Sequence, residues 1–205
     1  MKKSIFKKDK RYTFSDYFDM NNPTEEIVAE LGYSLILKDL NLPKSTNISS
    51  DILEEIQTSY YELLPKITLN SEVAKREFII APLLYKVIRH IDAKLNIEYS
   101  IDIDDKLSGF LDYLIRSKQE LVVIEAKKGD LDRGFNQLAA EIIALDQYED
   151  GENPQILYGA ITIGEVWRFA LLNRATKIIC KDVHTYRFPE DIQDLLSMLK
   201  GILES

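Results

Sequence analysis

The spacing of apolar positions changes near residue 95, from a helical period upstream to a strand-like alternation downstream. In 12–43, "YTFSDYFDMNNPTEEIVAELGYSLILKDLNLP", short helices are expected. Asn22 is placed to cap, Pro23 suits a first turn, Glu25 and Glu26 favour the positive helix end, and Gly32 stops the helix. The polar linker "NLPKSTNISSD" then leads into a helix over about 50–64 that Pro65 closes. The first third therefore reads as helical.

A longer helix is expected over about 71–93, with Val73, Ile80, Leu84, Val87, Ile88 and Ile91 on one stripe and Pro82 as a kink point. Glu77 falls on that stripe, four positions after Val73 and three before Ile80, and burying its charge without a partner would be costly. The other reading of Glu77 is a partly exposed helix acid near the kink.

From Asn96 the segments "NIEYSID", "LSGFLDYLIR" and "ELVVIEAK" read as an antiparallel meander, with "SKQ" as the turn between the second and third. A helix over 131–148 follows, burying Phe135, Leu138, Ala139, Ile142 and Ile143, and "DGENP" ends it. "QILYGAITI" and "VWRFALLN" form a hairpin around Gly164 and Glu165, with Trp167 and Phe169 as core bulk. A strand near 177–187 and an amphipathic helix over 189–203 complete the order: helices, then β-β-β-α-β-β-α, an α/β or α+β sandwich.

Composition narrows the setting. A length of 205 residues fits one domain, and a single cysteine, Cys180, excludes an internal disulfide or a cysteine-based zinc site. That usage suits a reducing cytoplasm. No stretch approaches the roughly 20 apolar residues of a membrane span, so a cytoplasmic protein without membrane association is expected. The net charge of −8 disfavours broad polyanion binding, which leaves any nucleic-acid affinity to a local patch. Residues 1–11 hold six Lys or Arg against Asp9 alone, leaving −13 on the other 194 residues. This basic arm is either a phosphate-tracking segment or a solvated, disordered tail.

The candidate chemistry lies in "GFLDYLIRSKQELVVIEAKKGD", 109–130, where an apolar strand ends in Glu125, Ala126 and Lys127 and Asp112 interrupts the strand before it. Alternation puts Glu125 and Lys127 on one face, and the Ser117–Gln119 turn brings Asp112 nearly opposite them. Two carboxylates about 4 Å apart repel by roughly 4 kcal/mol at an effective dielectric near 20, so such a pair favours a proton or a cation. Mg²⁺ takes oxygen ligands and keeps several waters, which suits two carboxylates plus the Ala126 carbonyl. A lysine beside the ion orients the attacking water and offsets phosphate charge. The competing reading is a cross-strand ion pair contributing about 0.2–1 kcal/mol.

"LDYLI" and "EAK", with twelve residues between Asp112 and Glu125, resemble the PD-(D/E)XK nuclease superfamily over about 71–200, with Leu111 where the motif name has Pro. "ILYGAITIGEVWRFALL" is also similar to the hairpin after the core helix in N-terminal nuclease domains of type I restriction subunits, although no motor is present. The resemblance implies an α/β restriction-endonuclease-like core over 67–205, a mixed central β-sheet flanked by helices, with a helical extension at 12–66 and the arm at 1–11. It implies a Mg²⁺-dependent nuclease, with Mn²⁺ able to substitute, acting on nucleic acid and preferably as a DNA endonuclease, in a superfamily where homodimers are common. Asp112 and Glu125 would bind the metal with the Ala126 carbonyl, Glu77 would be a further ligand, and Lys127 would be catalytic. Gln137 would position the lysine or the substrate. Lys128 and Arg133 flank the site and would meet phosphates, or else are solubilising; Glu141 is expected to face solvent or to partner Arg133. The alternative function is a catalytically inactive module of the same fold that binds nucleic acid or protein. His90 and His184 lie far apart in sequence and carry no catalytic expectation, and no Gly-rich phosphate loop is present.

Overall fold

The computed structural model describes residues 4–125, 129–148 and 154–205, with the backbone alone described for 120–125. Its frame is one eight-stranded mixed sheet. Strand β1 spans Ser34–Lys38, β2 Lys94–Asp102, β3 Ser108–Arg116, β4 Glu120–Glu125, β5 Ile156–Thr162, β6 Val166–Asn173, β7 Ile178–Asp182 and β8 Tyr186–Arg187. The order across the sheet is β1-β7-β6-β5-β4-β3-β2, with β8 also paired to β6. β1 runs parallel to β7 and β4 parallel to β5, while the remaining pairs are antiparallel.

Helices cover both faces. On one lie α1 (Phe14–Phe18), α2 (Thr24–Glu30) and α6 (Leu131–Tyr148), packed over a core that includes Phe14, Ile27, Leu111, Leu138 and Leu157. On the other lie α3 (Ser50–Leu63), α5 (Ala81–Ile88) and α7 (Ile192–Glu204), over Ile80, Tyr113, Trp167, Phe169 and Leu199. The short helix α4 (Glu72–Lys75) leads into α5 through a π-helical turn at Arg76–Ile80. In α/β terms this is a three-layer arrangement, with α6 as the crossover that returns the chain from β4 to a parallel β5.

Local chemistry accounts for most boundaries. The Ser49 hydroxyl accepts from the Asp51 N–H at the start of α3, and the Ser71 hydroxyl accepts from the Ala74 N–H at the start of α4. Pro65 sits in the 3₁₀ turn Leu64–Lys66 where α3 closes. Gly32, at φ +87°, ends the turn after α2, a conformation a side chain would strain. The expected hairpins form as expected: Arg116 pairs with Glu120 across the Ser117–Gln119 turn, and Thr162 pairs with Trp167. Gly159 lets α6 sit close on β5, because a Cβ there would lie 2.5 Å from Ile142 Cδ1.

Three expectations need correction. The first third is not wholly helical, since Ser34–Lys38 forms the edge strand β1; only Leu35 of that strand is even partly buried, so no alternation marks it in the sequence. The long helix ends at Ile88 and carries the π turn instead of one regular stripe. Its extra residue per turn rotates the face, leaving Val73 at 66% exposed while Ile79, Ile80, Leu83, Leu84 and Val87 are buried. The arm is not a free tail from Ser4 onward. Phe6 is buried against Tyr12 and Tyr17, Lys10 bridges Asp16 at 2.8 Å, and Arg11 pairs with Asp102. Two of its cations are thus engaged with carboxylates of the same chain. Among the described residues, no helix is long and apolar enough to cross a membrane.

Candidate functional site

The Asp112 region begins with a fault in the sheet. Leu111 belongs to the core under α6, yet Tyr113, two residues on, belongs to the opposite core. A regular strand would put both on one side. The neighbouring strand shares the irregularity: Ile97 pairs with Tyr113 and Tyr99 with Leu111, but the position between them, Glu98 opposite Asp112, is not bridged, and Glu98 has φ +52°. Such a local inversion re-aims side chains at a sheet margin.

Here a cleft of about 430 Å³ opens between β2, β3, α1, α6 and the α4–π segment. Asp112, Glu98 and Glu72 bring carboxylates to it, Arg76 brings a cation, and Gln137 reaches it from α6. Arg76 lies 3.8 Å from the Glu98 carboxylate, and its guanidinium stands 5.7 Å from the Tyr113 ring centre. Burial opposes the Arg76 charge, but a hydrogen bond with the Tyr113 hydroxyl and the nearby Asp112 carboxylate outweigh it, so its pKa is raised. Burial pushes the Tyr113 hydroxyl up, against the pull of Arg76.

The β3–β4 register brings the expected partners' backbones close. Tyr113 pairs with Val123, so Asp112 stands level with Ile124, one residue from Glu125. Glu125 itself ends β4, paired with Thr162 of β5. The Glu125 side chain and all of Ala126, Lys127 and Lys128 lie outside the described residues.

Gln137 is buried and donates from Nε2 to Glu141 Oε1 at 2.9 Å, so it joins the cleft on a fixed side chain. Glu141 does not face solvent, contrary to expectation: it is 0% exposed. α1 and α2 cover the face of α6 that would otherwise be wet, so every residue from Gly134 to Asp146 is buried. Thr24 of α2 donates to Asn136 Oδ1 of α6 at 2.6 Å across that contact. Arg133 is exposed and pairs with Asp130 at 3.6 Å, not with Glu141. Glu77 is also exposed and does not line the cleft; the π turn places Glu72, Val73 and Arg76 there instead. Glu72 and Arg76 carry no periodic mark of this place in the sequence, because the regular helical stripe predicted from Val73 onward does not run through the π turn. The only signal for Arg76 was a basic residue one position before the singled-out acid.

No protein-family model matches the chain, and no curated protein matches it.

Proposed function

We propose that the chain is a metal-dependent nuclease of the PD-(D/E)XK type, hydrolysing phosphodiester bonds of nucleic acid, with DNA as substrate and endonucleolytic cleavage as the mode. The observation that carries this reading is the arrangement around Asp112: an acid set beside the end of β4 by strand register, in an open cleft that also receives Gln137 from the helix following β4. A meander, a crossover helix and a hairpin, in that order, support a restriction-endonuclease-like core.

The donor set fits the implied metal. Carboxylates of Asp112, Glu98 and Glu72 on one cleft are the hard oxygens that Mg²⁺ or Mn²⁺ takes, and their mutual repulsion is relieved by cations. Asp112 and Glu125 would hold the ion, which supplies phosphate polarisation and a more acidic water. Arg76 would draw a phosphate oxygen into the cleft and offsets part of the repulsion among the acids. Gln137, held by Glu141, offers a fixed amide for orienting the substrate or Lys127. Lys127, two residues past the end of β4, takes the role of assisting the attacking water.

One observation favours a second reading. Arg76 stands beside Asp112 and so supplies from the chain itself part of the positive charge a metal would bring, as expected of an inactive module of this fold that binds nucleic acid or protein. Incubation of the protein with plasmid and Mg²⁺ or Mn²⁺, beside EDTA and Lys127→Ala controls, separates the two. Cleavage abolished by EDTA and by Lys127→Ala supports the nuclease; cleavage that survives Lys127→Ala removes the proposed role.

A further inference from the structure

At the other edge of the sheet, both strands of the parallel pair β1 and β7 carry Lys-Asp at the end, "LILKDL" and "IICKDVH", with Asp182 the last residue of β7 and Asp39 the first after β1. Lys38 pairs with Asp182, so Asp39 extends one residue further, beside Val183 and His184. The Val183 N–H donates to the Lys38 carbonyl at 3.1 Å and ties the two strand ends together. One ligating atom each from Asp39, Asp182 and His184 then lies within 4.8 Å of the other two.

Asp182 makes this more than a surface cluster. Its side chain is 0% exposed. One oxygen, Oδ1, accepts the His184 N–H at 3.1 Å, the ordinary turn contact for an aspartate at a strand end. The other, Oδ2, is buried and has no hydrogen-bond donor among the described residues. A buried carboxylate oxygen left without a donor is costly, and a proton or a cation resolves the cost. Lys181 is held by Asp132 at 2.7 Å and Arg187 by Asp191 at 3.5 Å, and Lys38, opposite Asp182 in the register, makes no ion pair with it.

We propose that Asp39, Asp182 and His184 bind a divalent transition-metal ion of the Zn²⁺ class, which fastens the ends of β1 and β7 and the turn that follows β7. The donors select the ion, because an imidazole with carboxylates suits Zn²⁺ and its neighbours in the series, whereas Mg²⁺ prefers oxygen alone. Geometry agrees. His184 Nε2 and Asp39 Oδ1 are 3.4 Å apart, long for a charge-assisted hydrogen bond but close to the separation of two ligands on a tetrahedral ion at about 2.0–2.1 Å. Three protein ligands leave the fourth position to water. The site is independent of the nuclease reading, since it shares no residue with the Asp112 cleft.

The test uses metal-stripped, full-length protein titrated with Zn²⁺. The chain has two histidines, so long-range ¹H–¹⁵N imidazole spectra resolve both. Saturable movement of the His184 ring signals with His90 unmoved is expected. A melting temperature raised by about 5 °C at a hundredfold excess over Kd is expected too. The shift should persist in Asp112→Asn and vanish in His184→Ala and Asp182→Asn. His184 signals unmoved at tenfold Zn²⁺ overturn the proposal, even where the variants fail to fold. So does a thermal shift that is lost in Asp112→Asn and kept in His184→Ala, which would place the ion in the cleft. A response unchanged in Asp182→Asn overturns it as well, because Asp182 would then not be a ligand.

Discussion

Asp146 and Asp112 are acids on facing layers of the molecule, and their surroundings differ in kind. Asp146, near the end of α6, is 3% exposed and fully provided for: Lys177 at 2.7 Å, Arg174 at 3.2 Å and the Tyr33 hydroxyl donating at 2.6 Å. Asp112 stands in an open cleft among other carboxylates, with Arg76 as the nearby cation and a break in strand alternation beneath it. The first arrangement is neutralised by the chain and closed to anything else, as a structural acid must be. The second gathers like charge where a solute can enter, an arrangement that costs stability unless a ligand uses it. Surroundings, more than residue type, separate an acid that holds the fold from one left open to a ligand.

The sharpest test of that contrast is catalytic. Asp112→Asn should lower plasmid cleavage by about a thousandfold, roughly 4 kcal/mol of transition-state stabilisation, while the urea midpoint hardly moves. A variant that unfolds instead would make Asp112 a structural acid like Asp146. Reversing the pattern, Asp146→Ala should destabilise by about 3 kcal/mol in chemical denaturation, because Arg174 and Lys177 lose their shared partner, with cleavage per folded molecule unchanged. Gly159→Ala tests the platform that presents Gln137. Forcing α6 off β5 should cost about 2 kcal/mol and lower cleavage through Gln137 while leaving plasmid affinity intact, read as kcat against KM.

Tyr33 gives a pH signature of the closed region. Burial and the hydrogen bond to Asp146 raise its pKa, so the folded state keeps its proton where the unfolded chain gives it up. That contribution is whole below pH 10 and falls as pH rises beyond it, by about 1.4 kcal/mol per unit until the folded group ionises. Denaturant titrations from pH 9 to 11 should show a shallower decline in Tyr33→Phe. The smallest effect is expected at α1, where Asp16 accepts from the Thr13 N–H and hydroxyl and from Lys10. Burial opposes the Asp16 charge, but those hydrogen bonds prevail and lower its pKa. Its stabilisation is present above the unfolded carboxylate pKa and lost as pH falls through the depressed folded value. Asp16→Ala should therefore cost about 1 kcal/mol at neutral pH and progressively less in acid.

Reading the sequence locally succeeded wherever one element's own residues set its limits. The 131–148 helix has the expected bounds because its apolar positions repeat at 3.6 and Asp130 and the Pro-containing segment bracket it. The Ser117–Gln119 turn fixes the β3–β4 register without outside help. Failures came where a distant segment decides. β1 is a strand because β7, over a hundred residues later, pairs with it. Glu141 is buried because α1 and α2 lie over α6, and a polar residue on the outer face of a helix carries no mark of that cover. Glu77, with two readings open, is exposed as the second of them had it, because the π turn interrupts the stripe.

From the sequence alone came the helices, the hairpins, the mixed α/β character and the placing of Asp112 beside the strand that ends in Glu125. All of these follow from side-chain periodicity, caps and turn lengths, which act over a few residues. Only the tertiary structure decided that Arg76, Glu98 and Glu72 share the Asp112 cleft, and that Asp39 meets Asp182 and His184 at the far edge. Such meetings depend on strand order, on parallel pairing between segments far apart and on a local inversion of faces. Those are products of packing the layers together, and no short-range pattern encodes them.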